Sequence, residues 1–295
     1  MAITVNTNIP SLTAQKALNK ATNAMNTAME RMSTGYKINS SKDDAAGMAV
    51  ATNLSYKASS FKVAQDNAQM GQSMLDTTEG VLDVIKDNLT RVRDLTEQAA
   101  NGTYGSDALT AINSEISARL DEISRVSDSA DFNGKLLLAG ETADKGIKAD
   151  IELQVGIGKE GSNSTITVKK ELFADADAKA LINDNNFFEN KAGKDVFKGL
   201  TSDANAREFL AKVDGAIDQI TSRKTTIGGL QARISSAMDT ANVMQTNLTS
   251  AASLIQDADV AEESSNYIKQ QILQQTSASL LATANQAPSI ASSLI

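Results

Sequence analysis

The chain is predicted to be mainly α-helical: a long antiparallel, coiled-coil-like bundle whose N- and C-terminal arms pair, with a small β-hairpin region in the middle. Three observations in its 295 residues carry that prediction. Proline occurs only at Pro10 and Pro288, so no helix breaker falls between them. Of 17 glycines, eight lie between residues 131 and 199, which concentrates the turns there. In each arm, apolar residues recur at steps of three and four for five heptads or more, a coiled-coil seam rather than the face of a short surface helix.

The elements follow in order. Residues 1–44 form an N-terminal helix and linker, with a seam at Leu18, Ala21, Met25, Ala28 and Met32. Residues 45–135 form a long helical rod. Ser41-Lys-Asp-Asp-Ala opens it, with Asp43 and Asp44 suited to capping and to the helix dipole. Its seam visits Phe61, Ala64, Ala68, Gly71, Leu75, Thr78, Leu82, Ile85, Leu89, Val92, Thr96 and Ala99, nine of them apolar. A helix from about 45 to 100 would be roughly 80 Å long at ~1.5 Å per residue. Asn101-Gly102-Thr103 breaks it, and Ser106-Asp107 is expected to cap a second helix running to about Val126.

Residues 136–204 are the β-containing middle. Asp150–Val155 and Thr165–Val168 alternate polar and apolar residues, with Gly156, Gly158 and Gly161 between them, so they read as a hairpin with a glycine-rich loop. Residues 171–200 read as loops with short helical pieces. Residues 205–252 form a C-terminal rod helix whose seam runs Val213, Ile217, Ile220, Lys224, Ile227, Gln231, Ile234, Met238, Ala241, Gln245, Leu248 and Ala252. Residues 253–295 form a last helix, opened by Asp259-Val-Ala-Glu262 at capping-box spacing. Ile272, Leu273, Thr276, Leu280, Ala284 and Ala287 share one face of it.

The two ends are unusual in charge. Lys16 and Lys20 are the only charged side chains in the first 29 residues, and Lys269 is the only one from Ser264 to Ile295. Apolar seams backed by Asn, Gln, Ser and Thr suit burial against other protein. In an isolated chain both ends are expected to be weakly structured and to order on assembly.

Composition narrows the functions. Without Cys or His, thiolate nucleophiles, His bases and zinc fingers are excluded. A net charge of −8 argues against a nucleic-acid partner. No apolar run is long enough to span a bilayer, so no membrane partner is expected. The start, MAITVNTNIPSLT, lacks the basic and apolar regions of a cleaved secretory signal. Gly156-Ile-Gly-Lys-Glu-Gly161 has the letters of a dinucleotide fingerprint, yet a strand follows where a helix N-terminus is required. Asp257, Asp259, Glu262 and Glu263 could ligate a cation, but helix capping accounts for them better. The Asn-X-Ser/Thr triplets at Asn53, Asn88, Asn101, Asn163 and Asn247 carry no weight as glycosylation signals. Arg91, Arg93, Arg119 and Arg125, alternating with Asp94, Glu97, Glu115 and Glu122, read as a solvated face laced with intrahelical pairs. No enzyme activity, cofactor or metal is expected.

Several long motifs resemble bacterial flagellins. They are Glu30-Arg-Met-Ser-Thr-Gly-Tyr-Lys-Ile-Asn-Ser-Ser-Lys-Asp-Asp-Ala-Ala-Gly47, Thr90-Arg-Val-Arg-Asp-Leu95 with Ala100-Asn-Gly-Thr103, and Glu115 to Gly134. Near the end come Ile255-Gln-Asp-Ala-Asp-Val-Ala-Glu-Glu-Ser-Ser-Asn266 and Ala284-Asn-Gln-Ala-Pro288. The likeness covers about residues 1–140 and 205–295. It implies an extracellular homopolymer, the flagellar filament, whose subunits are exported unfolded by the flagellar type III machinery without signal cleavage. The terminal helices would then build the inner core, and the long helices the outer rod.

Expected partners are further copies of the chain, hook-associated and cap proteins, and an export chaperone at about residues 260–295. By the same resemblance, a host Toll-like receptor would contact Arg91, Leu95 and Glu115. Thr90 and Asp94 depart from the Gln and Glu of the commonly sensed form. The short middle implies a smooth filament. Two other readings stand beside this one: a non-polymerising relative such as the hook–filament junction protein, and, further off, a carboxylate-dependent hydrolase using Asp257.

Overall fold

A computed structural model describes residues 7–140, 143–158, 164–191 and 194–292. The residues before Thr7, the Gly161 end of the glycine-rich loop and Asn163 lie outside the described residues, as do the side chains of Ala287 and Pro288. The element order is α1 (Ile9–Thr34), α2 (Ala45–Ala99), α3 (Ser106–Ser129), β1 (Asp131–Phe132), β2 (Lys135–Leu136), β3 (Ile151–Gln154), β4 (Thr165–Val168), α4 (Ala178–Ile182), β5 (Phe188–Lys191), β6 (Lys194–Phe197), α5 (Asp203–Gln256) and α6 (Val260–Ser292). The fold is mainly α with three small antiparallel hairpins among the described residues. It divides into two compact units, one of residues 1–59 and 245–295, the other of residues 60–244, so the divisions fall inside α2 and α5.

In the first unit α1 and α6 pack against each other in antiparallel fashion. The Asn8 side chain caps α1 by accepting from Ser11 N at 3.1 Å, and Pro10 sits in the first turn, where its missing N–H costs nothing. Gly35 ends the helix at φ 75°, a left-handed conformation that glycine adopts freely, and its N–H reaches Arg31 O. Asp259 opens α6, its Oδ1 accepting from Ala261 N at 2.8 Å and Glu262 N at 3.2 Å. Between the helices, the chain at Gly35–Lys37 lies against Gln256–Ala258 in a short antiparallel bridge.

The charge-poor ends, expected to order on assembly, form a helix pair with contacts of its own. Ala14, Ala21 and Ala28, seven residues apart, are buried and let the two backbones come close. Asn8 Nδ2 donates to Ala284 O at 2.7 Å, Ser11 Oγ to Asn285 Oδ1 at 2.8 Å and Gln274 Nε2 to Thr22 Oγ1 at 3.0 Å. Arg31 pairs with the buried Glu263 at 2.9 Å.

In the second unit α2, α3 and α5 surround one hydrophobic core. Leu75, Leu82, Ile85, Leu89 and Val92 of α2 are wholly buried with Ile116 and Ile123 of α3 and Val213, Ile220, Ile227 and Ile234 of α5. Cross-helix pairs mark both neighbours of α2 as antiparallel to it: Arg93 with Asp214 and Lys224 with Asp83 on α5, Arg91 with Glu115 and Asn88 with Arg119 on α3. The non-apolar members of both seams have partners. Thr78 and Thr96 turn their hydroxyls onto Met74 O and Val92 O, one turn back in their own helix. Lys224 pairs with Asp83, and Gln231 Nε2 donates to Asp76 and Glu79.

The β3–β4 hairpin forms as the alternation predicts, pairing Ile151 with Val168 and Gln154 with Thr165. Two strand pairs were not foreseen. Asn133 (φ 52°) and Gly134 (φ 81°) make a two-residue turn of primed type between β1 and β2. The stretch read as loops and short helical pieces holds, besides α4, the β5–β6 hairpin, which contributes Phe188 and Phe197 to an aromatic cluster with Phe187 and Phe209. A further correction concerns α3. Gly105, extended, occupies its cap position without a side-chain bond, and Ser106 is already inside the first turn.

Candidate functional site

The terminal helix pair brings the sequence-predicted seam residues together unequally. On α1, Leu18, Met25 and Met32 are half-buried and Ala21 and Ala28 buried, so this seam faces α6. The face that α6 turns inward is a different one from the apolar face read in the sequence. Glu263 and Ser277 are buried, while Tyr267, Gln270, Gln274 and Ala284 are half-buried. Ile272 and Leu280 are each 57% exposed and Leu273 is 44% exposed. An apolar seam on α1 thus meets a largely polar side of α6, and most of the apolar stripe of α6 is left open.

Further large apolar residues lie exposed on the same two helices: Ile9, Leu12 and Met29 on α1, Val260 and Ile268 on α6. Their signal was present in the sequence as apolar residues off the seam of helices with almost no charge. A soluble helix ordinarily keeps a charged outer face, and this surface lacks one.

The residues assigned to receptor contact fall in the second unit. Arg91 Nη2 and Glu115 Oε1 are 2.9 Å apart, an exposed ion pair bridging α2 and α3. Leu95 is 2% exposed and belongs to the core, so its side chain is not presented at that surface. The arginine face as a whole is less intrahelical than its alternation suggested. Arg93–Glu97 and Glu122–Arg125 are pairs within a helix, but Arg91–Glu115 and Arg93–Asp214 cross between helices. The carboxylate of Asp214 raises the already high pKa of Arg93, chiefly by accepting its hydrogen bond.

Comparison with known proteins supplies the context. Residues 5–143 match the bacterial flagellin N-terminal helical region and residues 210–294 the bacterial flagellin C-terminal helical region. Flagellin D of Vibrio cholerae serotype O1 is 31% identical in an alignment that takes in the whole of both chains, as is Flagellin D of Vibrio anguillarum. The chain belongs to the bacterial flagellin family. It is a structural subunit of the flagellar filament and not an enzyme.

Among solved structures, a Bacillus cereus flagellin aligns over 63% of this chain and 94% of its own at 29% identity, with a TM-score of 0.48. A putative flagellar hook-associated protein from Vibrio parahaemolyticus covers 71% of this chain and 98% of its own at 16% identity and a TM-score of 0.50, a likeness of fold alone. The flagellin matches at both ends and along the whole chain do not favour the reading as a hook–filament junction protein. The alignment with the Vibrio cholerae flagellin runs to 376 positions, so that relative carries segments that this flagellin lacks.

The remaining candidate chemistry resolves into structural work. Asp44 Oδ1 accepts from Ala46 N and Gly47 N and so caps α2. Asp43 closes the preceding turn, and hydrogen bonds from Ser40 hold its carboxyl below the usual range. Asp259 caps α6, Glu263 is paired with Arg31, and Asp257 accepts from Ser253 Oγ. The described part of the Gly156-containing loop joins two paired strands, which is a hairpin loop and not a strand-to-helix phosphate cradle. Among the described residues no helix is long and apolar enough to cross a membrane.

Proposed function

We propose that this flagellin polymerises through the face that its terminal helix pair leaves open. The observation that carries the proposal is the exposure of Ile272, Leu273 and Leu280 on a helix with one charged residue beyond Glu263. Covering such side chains with a second copy would contribute about 1.5–3 kcal/mol apiece, against an ordering cost on the order of 1–2 kcal/mol per residue wherever backbone must be fixed. The hydrogen bonds and the ion pair between α1 and α6 offset part of that cost. Contacts between unlike faces of identical subunits do not close on themselves and so propagate into a helical polymer.

In this reading residues 1–44 and 253–295 build the inner core. Residues 45–135 and 205–252 form the surrounding rod, and residues 136–204 are its small variable part. The subunit leaves the cell without signal cleavage. The same open α6 surface, within about residues 260–295, is what an export chaperone would cover before assembly, and hook-associated and cap proteins would meet it at the filament ends. Recognition by a host Toll-like receptor would rest on the Arg91–Glu115 pair, with Leu95 acting from beneath by holding α2 in place.

Removing residues 264–295 is expected to leave a soluble subunit that does not polymerise. Ile272→Asp and Leu280→Asp together should block growth while leaving the subunit's helical circular dichroism unchanged. Filaments of ordinary length from either protein, seen by negative-stain microscopy, would overturn the reading.

A further inference from the structure

Two Asn-Gly dipeptides occur in the chain, Asn101–Gly102 and Asn133–Gly134, and both are exposed. An Asn followed by Gly can modify itself. The Gly backbone nitrogen attacks the Asn side-chain Cγ, forming an N–Cγ bond and a five-membered succinimide. The Cγ–Nδ2 bond breaks, and the side-chain nitrogen departs as ammonia with the proton from the attacking amide. Water then opens the ring at either carbonyl, giving Asp or isoaspartate. The reaction needs a Gly N–H free of other bonds and backbone freedom for that nitrogen to reach Cγ. The absence of a Cβ on glycine removes the main steric obstacle.

The fold treats the two dipeptides differently. Asn133 and Gly134 are the central pair of the β1–β2 turn, clamped on either side by the pairing of Asp131 with Leu136 and Phe132 with Lys135. The Gly134 N–H donates to Asp131 Oδ1 at 3.2 Å, so the attacking nitrogen is already engaged. Both residues take the positive φ that this turn requires. Asn101 and Gly102, by contrast, lie in the loop between α2 and α3, past the last helical hydrogen bonds. The Asn101 N–H reaches Gln98 O at 3.1 Å, and its carbonyl accepts only a long bond, 3.4 Å, from Tyr104 N. The Gly102 N–H makes no hydrogen bond among the described residues.

We propose that Asn101–Gly102 is a site of spontaneous intramolecular deamidation, and that Asn133–Gly134, though the same dipeptide, is held inert by its turn. The Asp203 carboxylate lies beside the Gly102 α-carbon: a methyl group there would meet Oδ2 at 2.7 Å. Deamidation therefore adds a negative charge, and in the isoaspartyl product an extra backbone carbon, one residue from an existing carboxylate at the start of α5. The α2–α3 loop of an ageing subunit is expected to loosen there.

The test is peptide mapping by mass spectrometry of the full chain, incubated folded at mildly alkaline pH and, in parallel, in concentrated urea. In the folded protein Asn101 should gain about one dalton and yield isoaspartate at least about tenfold faster than Asn133, and in urea the two rates should converge because only local structure separates them. Asp131→Ala, which frees the Gly134 amide, should raise the Asn133 rate without changing that of Asn101. The proposal is overturned if Asn133 reacts as fast as Asn101 in the folded chain. It is equally overturned if the difference persists undiminished in urea, or if Asp131→Ala leaves Asn133 inert.

Discussion

Gly71 occupies a seam position of α2 where every neighbouring turn buries a larger side chain. A Cβ there would overlap Leu153 Cδ1, so the hairpin rests on the helix through a leucine set against a glycine. Asn67 Nδ2, one turn earlier, adds a hydrogen bond to Gln154 O at 3.4 Å. Gly71→Ala improves helix propensity, yet its methyl group meets the Leu153 side chain, which must shift. The expected net result is a loss of about 1–3 kcal/mol, the usual cost of overpacking, read as a lower urea midpoint.

Asp128, at the end of α3, is a second informative residue. Burial first, then the charges of Asp177 and Asp175, push its carboxyl above the usual range. The Arg223 guanidinium donates to Ala174 O and Asp175 O, while Asp177 accepts from Ser124. A carboxyl with a raised folded pKa favours the fold fully below its unfolded pKa, and that contribution is lost as pH rises through the folded value. Asp43, Glu122 and Asp184 are shifted down and act in the opposite sense: their contribution is present above the unfolded pKa and lost on acidification. Asp128→Asn should therefore unfold at higher urea than the parent near neutral pH. The gap should shrink as the buffer is taken down to where Asp128 holds its proton.

At the scale of elements, two leucines on seams read alike in sequence but have opposite fates. Leu82 is wholly buried between α2 and its neighbours, whereas Leu273 stands 44% exposed on α6. Leu82→Ala should cost about 2–5 kcal/mol through lost transfer energy and a residual cavity, measured by urea unfolding of the subunit. Leu273→Ala should change subunit stability little and instead raise the concentration needed for polymerisation, measured by sedimentation. Helix bounds were legible because the strong punctuators are so few: α2 stops at Ala99, just before Asn101-Gly102, and α3 starts at Ser106. The β5–β6 hairpin was not, since Phe188-Glu-Asn-Lys191 has one apolar residue and no alternation. Its place is set by Phe187 and Phe197 packing on Phe209 of α5, a contact distant in sequence. The β1–β2 turn was legible in principle, since Asn-Gly is a strong hairpin signal.

For the whole molecule, a net charge of −8 means that copies repel one another when brought together. The open faces of α1 and α6 lie on the chain's charge-poor ends, so attraction is short-ranged while repulsion from the rest is screened by salt. Raising ionic strength from 0.01 to 0.1 M shortens the Debye length from about 30 to about 10 Å. The critical concentration for polymerisation should fall over that interval, measured by light scattering, and the Ile272→Asp/Leu280→Asp protein should not respond.

Read alone, the amino-acid order was enough for the helical class, the seams of the long helices, the break between α2 and α3, the glycine-rich hairpin and the charge-poor ends. Each is a local or periodic property that neighbouring residues impose on one another. Long-range packing settled which face of α6 meets α1, that Leu95 is buried in the core while Arg91 and Glu115 pair at the surface, and that two identical Asn-Gly steps differ in hydrogen bonding. Those outcomes depend on which distant segment packs nearby, because burial and hydrogen bonding are properties of the neighbours a residue acquires on folding and not of the residue alone.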